Sequence, residues 1–126
     1  MRYINKNYIF IIEDSKEIQN LIGELYADSG YKVGSASNGL EALEILRNAA
    51  ELPALILLDI CMPVMDGFQF RVEQEKDSVL TEIPVVVLTG DINAEVQSIR
   101  MGAHGHLQKP FSPRTLFNLV EKYCQH

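Results

Sequence analysis

Ala54-Leu55-Ile56-Leu57-Leu58-Asp59 is a run of five apolar residues closed by an acid. A strand in the middle of a parallel sheet is covered on both faces and meets water on neither, so it reads as a continuous apolar run of this kind. Two other stretches share the pattern: Tyr8-Ile9-Phe10-Ile11-Ile12 before Glu13-Asp14, and Pro84-Val85-Val86-Val87-Leu88 before Thr89. Between these runs the apolar spacing becomes helical, at Ile18, Leu21, Ile22 and Leu25, at Leu40, Leu43, Leu46 and Ala50, and at Val96, Ile99 and Ala103.

Local punctuation supports the same alternation. Asn38 and Glu41 stand as N-cap and third helical position, and Ser112-Pro113 as N-cap and first position of a last helix bearing Leu116, Leu119, Val120 and Tyr123. A further helix runs from Gly67 through about Glu75, and Asp66-Gly67 reads as the turn that starts it. Two weaker strands, Lys32 to Ala36 after Ser29-Gly30 and Gly105 to Lys109 after Gly102, complete five βα units. Right-handed crossovers then leave an α/β fold, a five-stranded parallel sheet doubly wound by helices on both faces.

The 126 residues, 47% of them hydrophobic, suit one domain over 1–126 with its core at about 8–123. Eleven Lys and Arg against 17 Asp and Glu, a formal charge of -6, provide no basic footprint for nucleic acid. Cys61 and Cys124 form no CxxC pair, so a disulfide framework or zinc site is not expected and a reducing cytoplasm is. The run Tyr8 to Ile12 stops at Glu13, too short for a signal-peptide core or a membrane span.

In open α/β sheets, ligands bind at the carboxyl ends of the strands, beside the point where strand order reverses. The residues there are Glu13 and Asp14, Asp59, Thr89 and Lys109. One acid after a strand is ordinarily a helix cap or loop residue. Several converging carboxylates repel, each ionised pair at about 4 Å costing on the order of 4 kcal/mol at an effective dielectric near 20, so they call for a counterion. A hard divalent cation, Mg²⁺ or Mn²⁺, suits oxygen ligands. A carboxylate is also a competent nucleophile toward a phosphoryl group, whose charge a cation, a lysine and a hydroxyl would spread.

The set comprises the acidic pair Glu13-Asp14, Asp59 within Asp59-Ile60-Cys61-Met62-Pro63-Val64-Met65-Asp66-Gly67, Thr89-Gly90, and Lys109-Pro110-Phe111. In this order it resembles the receiver domain of two-component response regulators, from about Tyr8 to Tyr123. The resemblance implies a flavodoxin-like sheet of order 2-1-3-4-5 and a phosphoacceptor at Asp59. It implies Mg²⁺ held directly by Asp14 and Asp59, through water by Glu13, and by the backbone carbonyl of Cys61. Thr89 and Lys109 would hold the phosphoryl oxygens, and Thr89 would act with the ring at position 106 as the switch.

The implied partners are a sensor histidine kinase or histidine phosphotransfer protein, docking near the first helix beyond Ser15, and a downstream protein target or attached output domain. The output surface would lie around Val96, His106 and the last helix. Such a domain phosphorylates itself in a Mg²⁺-dependent way and loses the group slowly, without independent substrate turnover. His106 departs from the Tyr or Phe usual there; a histidine titrates near neutral pH and could alter the switch, while the plainer reading is a ring doing the same packing. Asp91 at the rim is expected to tune hydrolysis or simply to cap a loop. Met62 and Met65 read as packing residues, and His104 and His126 as solvated side chains.

Three rival readings compete with this one. A phosphohydrolase with an aspartyl nucleophile would show Asp-x-Asp, where this chain has Cys61 in third place. A nucleotide or flavin binder lacks support because there is neither GxxxxGK[ST] nor GxGxxG after the first strand. A phosphorylation-independent interaction module with the same fold is the alternative that the motif set leaves open.

Overall fold

In the computed structural model, which describes residues 1–124, strands and helices alternate along the chain. They are β1 (Tyr3–Ile12), α1 (Lys16–Asp28), β2 (Lys32–Ala36), α2 (Gly39–Asn48), β3 (Glu51–Asp59), α3 (Gly67–Glu75), β4 (Val85–Thr89), α4 (Ala94–Arg100), β5 (Gly105–Gln108) and α5 (Pro113–Tyr123). A single 3-10 turn, Leu80–Glu82, leads into β4. The strands form one parallel sheet in the order β2-β1-β3-β4-β5, as expected.

The continuous apolar runs have the anticipated cause. Alternate residues of each central strand enter two separate cores. Tyr8, Phe10, Ile12, Ile56, Leu58, Val85 and Val87 pack with Ala42, Leu43 and Leu46 of α2 and Phe70 of α3. Ile9, Ile11, Leu55, Leu57, Val86 and Leu88 pack on the opposite face with Ile22 and Tyr26 of α1 and Leu116 and Val120 of α5. The Tyr26 hydroxyl satisfies its buried donor on the Leu116 carbonyl at 2.8 Å, joining α1 to α5. The caps are those read from sequence: the Asn38 side chain accepts from Glu41 N–H and the Ser112 side chain from Thr115 N–H.

Several of the apolar positions that set the helical spacing do not face the core. Leu21 is 68% exposed on α1, and Leu40 is exposed on α2. Ala50 lies past the end of α2 and is exposed. On α4, Val96 and Ile99 face outward, 48% and 70% exposed, and Ala103 falls beyond the helix. The seven-residue α4 instead lays Ala94 and Ser98 against the sheet, because a small-residue face allows close approach and leaves the larger apolar side chains outside.

β1 begins five residues before its apolar run. Tyr3, Ile4 and Asn5 pair with Glu51, Leu52 and Pro53 ahead of a bulge between Asn5 and Ile9. This extension carries no hydrophobic signal because Tyr3 and Ile4 remain exposed. It is pinned by Arg2, whose guanidinium donates to the Leu46 and Ala49 carbonyls at the end of α2, where a cation also complements the helix dipole.

His104 is a further correction. Its ring is exposed, yet Nδ1 accepts a hydrogen bond from the Val85 backbone N–H at 3.2 Å, so it does more than meet solvent. His126 lies outside the described residues. No helix among the described residues is long and apolar enough to cross a membrane.

Candidate functional site

Parallel register sets the carboxyl ends of β1, β3, β4 and β5 side by side: Ile12 pairs with Leu58, Asp59 with Leu88, and Thr89 with Gln108. The polar residue ending each run therefore arrives at one rim. Glu13 follows β1 and is 1% exposed, while Asp59 ends β3 and Thr89 ends β4, at 6% and 5%. Asp14 stands beside them, exposed.

The turn between β1 and α1 is locked from within. Ser15 caps α1 by accepting from Ile18 N–H and donates its own N–H to Glu13 Oε2 at 3.3 Å. Gln19 donates to the Glu13 and Ala36 carbonyls. The loop after Asp59 folds back equally tightly: Gly67 N–H donates to the Ile60 carbonyl at 2.9 Å, and a Cβ on Gly67 would come within 2.8 Å of the Asp59 carbonyl oxygen. Only glycine allows that approach, so Gly67 shapes the loop after Asp59 besides starting α3. Asp66 caps α3 in a reciprocal box with Gln69.

Carboxylate oxygens of Glu13, Asp14 and Asp59 lie within 4.8 Å of one another. Lys109 Nζ donates to Glu13 Oε1 at 2.8 Å and stands 3.7 Å from Asp59 Oδ1. Burial, then the neighbouring Glu13, pushes the Asp59 carboxyl up to about 7, against the opposing pull of Lys109 and the Cys61 N–H. Burial also works to raise Glu13, but its hydrogen bonds with Asp59 and Lys109 outweigh it and hold Glu13 below the usual carboxylate range. Lys109 stays above its ordinary value because Glu13, Asp59 and Asp14 outweigh its own desolvation. Without a cation, then, Lys109 favours the ionised form of Glu13, and Asp59 gives up its proton less readily than an ordinary carboxyl.

An all-oxygen acidic cluster that strains to hold several negative charges at once fits a hard divalent cation. The Cys61 thiol is exposed at the edge of the cleft. His106, on β5, presents its ring to solvent. Thr89 Oγ1 accepts from Asp91 N–H at 3.0 Å and lies 3.5 Å from Gln97 Oε1. Sequence reasoning passed over Gln97, since a glutamine on an amphipathic helix carries no signal that it contacts a strand end eight residues away.

The model of the response regulator receiver domain family matches residues 9–121. The chain is 36% identical over 115 residues to "Probable transcriptional regulator ycf27" of Cyanophora paradoxa, covering 90% of this chain and 46% of the relative. It spans about half the length of the curated relatives it matches. Among solved structures it is similar to the chemotaxis response regulator CheY4 of Vibrio cholerae, with 31% identity, a TM-score of 0.82, and coverage of 92% of this chain and 97% of that one. It is also similar to the phosphorylated cyanobacterial phytochrome response regulator RcpA, at 34% identity, a TM-score of 0.76, and coverage of 92% and 89%. The chain belongs to the receiver-domain family of two-component response regulators.

Proposed function

We propose that Asp59 is the phosphoacceptor of a signalling switch, taking a phosphoryl group from the phosphohistidine of a sensor histidine kinase or histidine phosphotransfer protein. The observation that carries this reading is the buried Asp59 carboxylate grouped with Glu13 and Asp14 and faced by Lys109 at one strand rim. RcpA, similar over most of its length, is phosphorylated in its solved structure, which supports the reading.

In the transfer, an Asp59 carboxylate oxygen forms a bond to phosphorus while the phosphorus–nitrogen bond of the donor breaks. The electron pair leaves with the imidazole nitrogen, which then takes up a proton. Mg²⁺ or Mn²⁺, held by Asp14 and Asp59 directly, by Glu13 through water and by the Cys61 carbonyl, would neutralise phosphoryl charge at this point. Asp59 has to be ionised to attack, and Lys109, 3.7 Å away, favours that form. After transfer Lys109 moves its donors from Glu13 to a phosphoryl oxygen, and Thr89 turns its hydroxyl to another.

Turning Thr89 frees space toward His106, whose ring swings inward and alters the face formed by α4, β5 and α5. The exposed Val96 and Ile99 suit that face to a downstream protein target or output domain. Exposed Leu21 on α1, which packs beside the start of α5, suits that helix to the phosphohistidine donor. The domain phosphorylates itself and slowly loses the group, without independent substrate turnover. Both thiols are free, in keeping with a reducing cytoplasm.

The test is incubation with acetyl phosphate or phosphoramidate, with and without Mg²⁺, followed by intact mass. A Mg²⁺-dependent gain of one phosphoryl group in wild type, lost in Asp59→Asn, is expected. No gain with any donor would replace this reading by a phosphorylation-independent interaction module.

A further inference from the structure

A threonine hydroxyl has one proton to donate. In this structure the Thr89 oxygen already accepts from the Asp91 N–H, and the polar atom placed to receive its proton is Gln97 Oε1, at 3.5 Å. The orientation of the Gln97 amide is decided by its other end. Nε2 donates to Asp91 Oδ2 at 3.2 Å, and an ionised carboxylate can only accept, so the oxygen end must face Thr89. Asp91 is held in turn by the Asn93 N–H on Oδ1 at 2.8 Å. Thr89, Asp91 and Gln97 thus close a ring of hydrogen bonds.

We propose that Gln97 is a positioning residue of the switch: its side-chain oxygen takes the Thr89 proton in the resting protein and must release it before Thr89 can reach a phosphoryl oxygen. The assignment rests on the phosphoacceptor reading of Asp59. Gln97 is well placed for it, lining the cleft beside Asp59 together with Asp14, Cys61 and Phe68. Asp91 becomes the residue that orients Gln97, a more specific role than a charge at the rim.

The ring also links the chemistry to α4. The far end of that helix is tied down: Arg71 donates to the Met101 and Gly102 carbonyls at 3.0 and 2.9 Å, and Ser98 Oγ donates to the Gly105 carbonyl at 3.1 Å. Its near end has no side-chain cap from Asn93; it is held through Asp91, whose carbonyl accepts from Ala94 N–H at 3.2 Å, and through Gln97, which reaches Thr89 at the end of β4. Releasing Thr89 therefore removes the side-chain link between β4 and α4 and loosens the near end of the helix, while the far end stays fixed. The Thr89–Gln97 bond is long and neutral, whereas a bond to a phosphoryl oxygen is charge-assisted, so phosphorylation prevails and Gln97 sets the threshold.

The probe is beryllofluoride with Mg²⁺, a phosphoryl mimic whose half-saturating concentration is an equilibrium readout. Gln97→Leu, which keeps the bulk and removes the acceptor, is expected to bind it about two- to fivefold tighter than wild type. In a Thr89→Val background, which has no proton to hold, the same substitution is expected to change nothing. A general packing effect of Gln97→Leu would appear in both backgrounds, so equal tightening in the two overturns the assignment, as does unchanged binding in Gln97→Leu alone. Wild type that fails to bind beryllofluoride overturns the phosphoacceptor reading itself, a different outcome from either of these.

Discussion

β1, β3 and β4 run for ten, nine and five residues inside the sheet, whereas β5 runs for four at its edge. The difference continues in what covers them. α1 has 13 residues and buries Ile22 and Tyr26, while α4 has seven and buries only Ala94 and Ser98. The first region carries Glu13, Asp14 and Asp59, whose spacing has to be kept. The second carries Gln97 and His106, next to Thr89 at the end of β4, and the proposed switch requires these three side chains to move. Opening β1, β3 or β4 would break two cores, while the edge strand β5 and the thinly packed α4 open locally at low cost. Apart from Thr89, whose side chain turns on a buried strand, the proposed division of labour follows the depth of the elements that bear it.

Paired truncations offer the strongest way to break this comparison. Leu57→Ala, at a fully buried β3 position, is expected to cost about 2–5 kcal/mol in urea unfolding. Leu107→Ala, half-buried on β5, is expected to cost about 1 kcal/mol. Equal costs would mean that the edge is as rigid as the centre. The next effect has the opposite sign. Burial and Glu13 disfavour the charge on Asp59, so Asp59→Asn should stabilise the cation-free protein by on the order of 1–2 kcal/mol in thermal melts with a chelator present. A destabilised variant would show that Lys109 outweighs the repulsion.

Smaller still are the exposed α4 positions. Val96→Ala and Ile99→Ala should each shift stability by less than about 0.5 kcal/mol, while weakening binding to a downstream partner. The mildest test concerns pH at the edge. Burial and Arg71 hold His104 below its ordinary value, and its neutral Nδ1 accepts from Val85 N–H. A histidine lowered in the folded state contributes stability that is present above its unfolded value near 6.5 and lost as pH falls below it. Hydrogen exchange corrected for intrinsic rates should therefore quicken at the Val85 amide in mild acid, stay unchanged at Ile11 and Leu57, and lose this pH dependence in His104→Phe.

The strand plan was legible because strands covered on both faces have to be apolar at every position, and no other element of that length shows such a run. The helix starts were legible because Asn38 and Ser112 announce caps chemically. The grouping of Glu13, Asp14, Asp59 and Lys109 was legible at one remove, since each follows a strand and parallel strands end together. The inward faces of short helices were not. An apolar spacing of three or four residues in α4 describes one face without saying whether it meets the sheet or the solvent, and Val96 and Ile99 met the solvent. The extension of β1 over Tyr3 to Asn5 was hidden for the opposite reason, as its pairing is made by backbone groups that leave no pattern in side chains.

By itself, then, the sequence determined what depends on residue type and order: the alternating fold, the identity of the residues at the strand ends, and the presence of several carboxylates and a lysine among them. Tertiary structure alone decided what depends on which atoms share a space. It placed the Lys109 ammonium on Glu13 instead of closest to Asp59. It raised the Asp59 carboxyl by burial and by the neighbouring Glu13, set Gly67 against the Asp59 carbonyl, and turned Thr89 toward Gln97. These follow from distances of a few ångströms between groups far apart in the chain, and electrostatic and hydrogen-bond energies change steeply over just such distances.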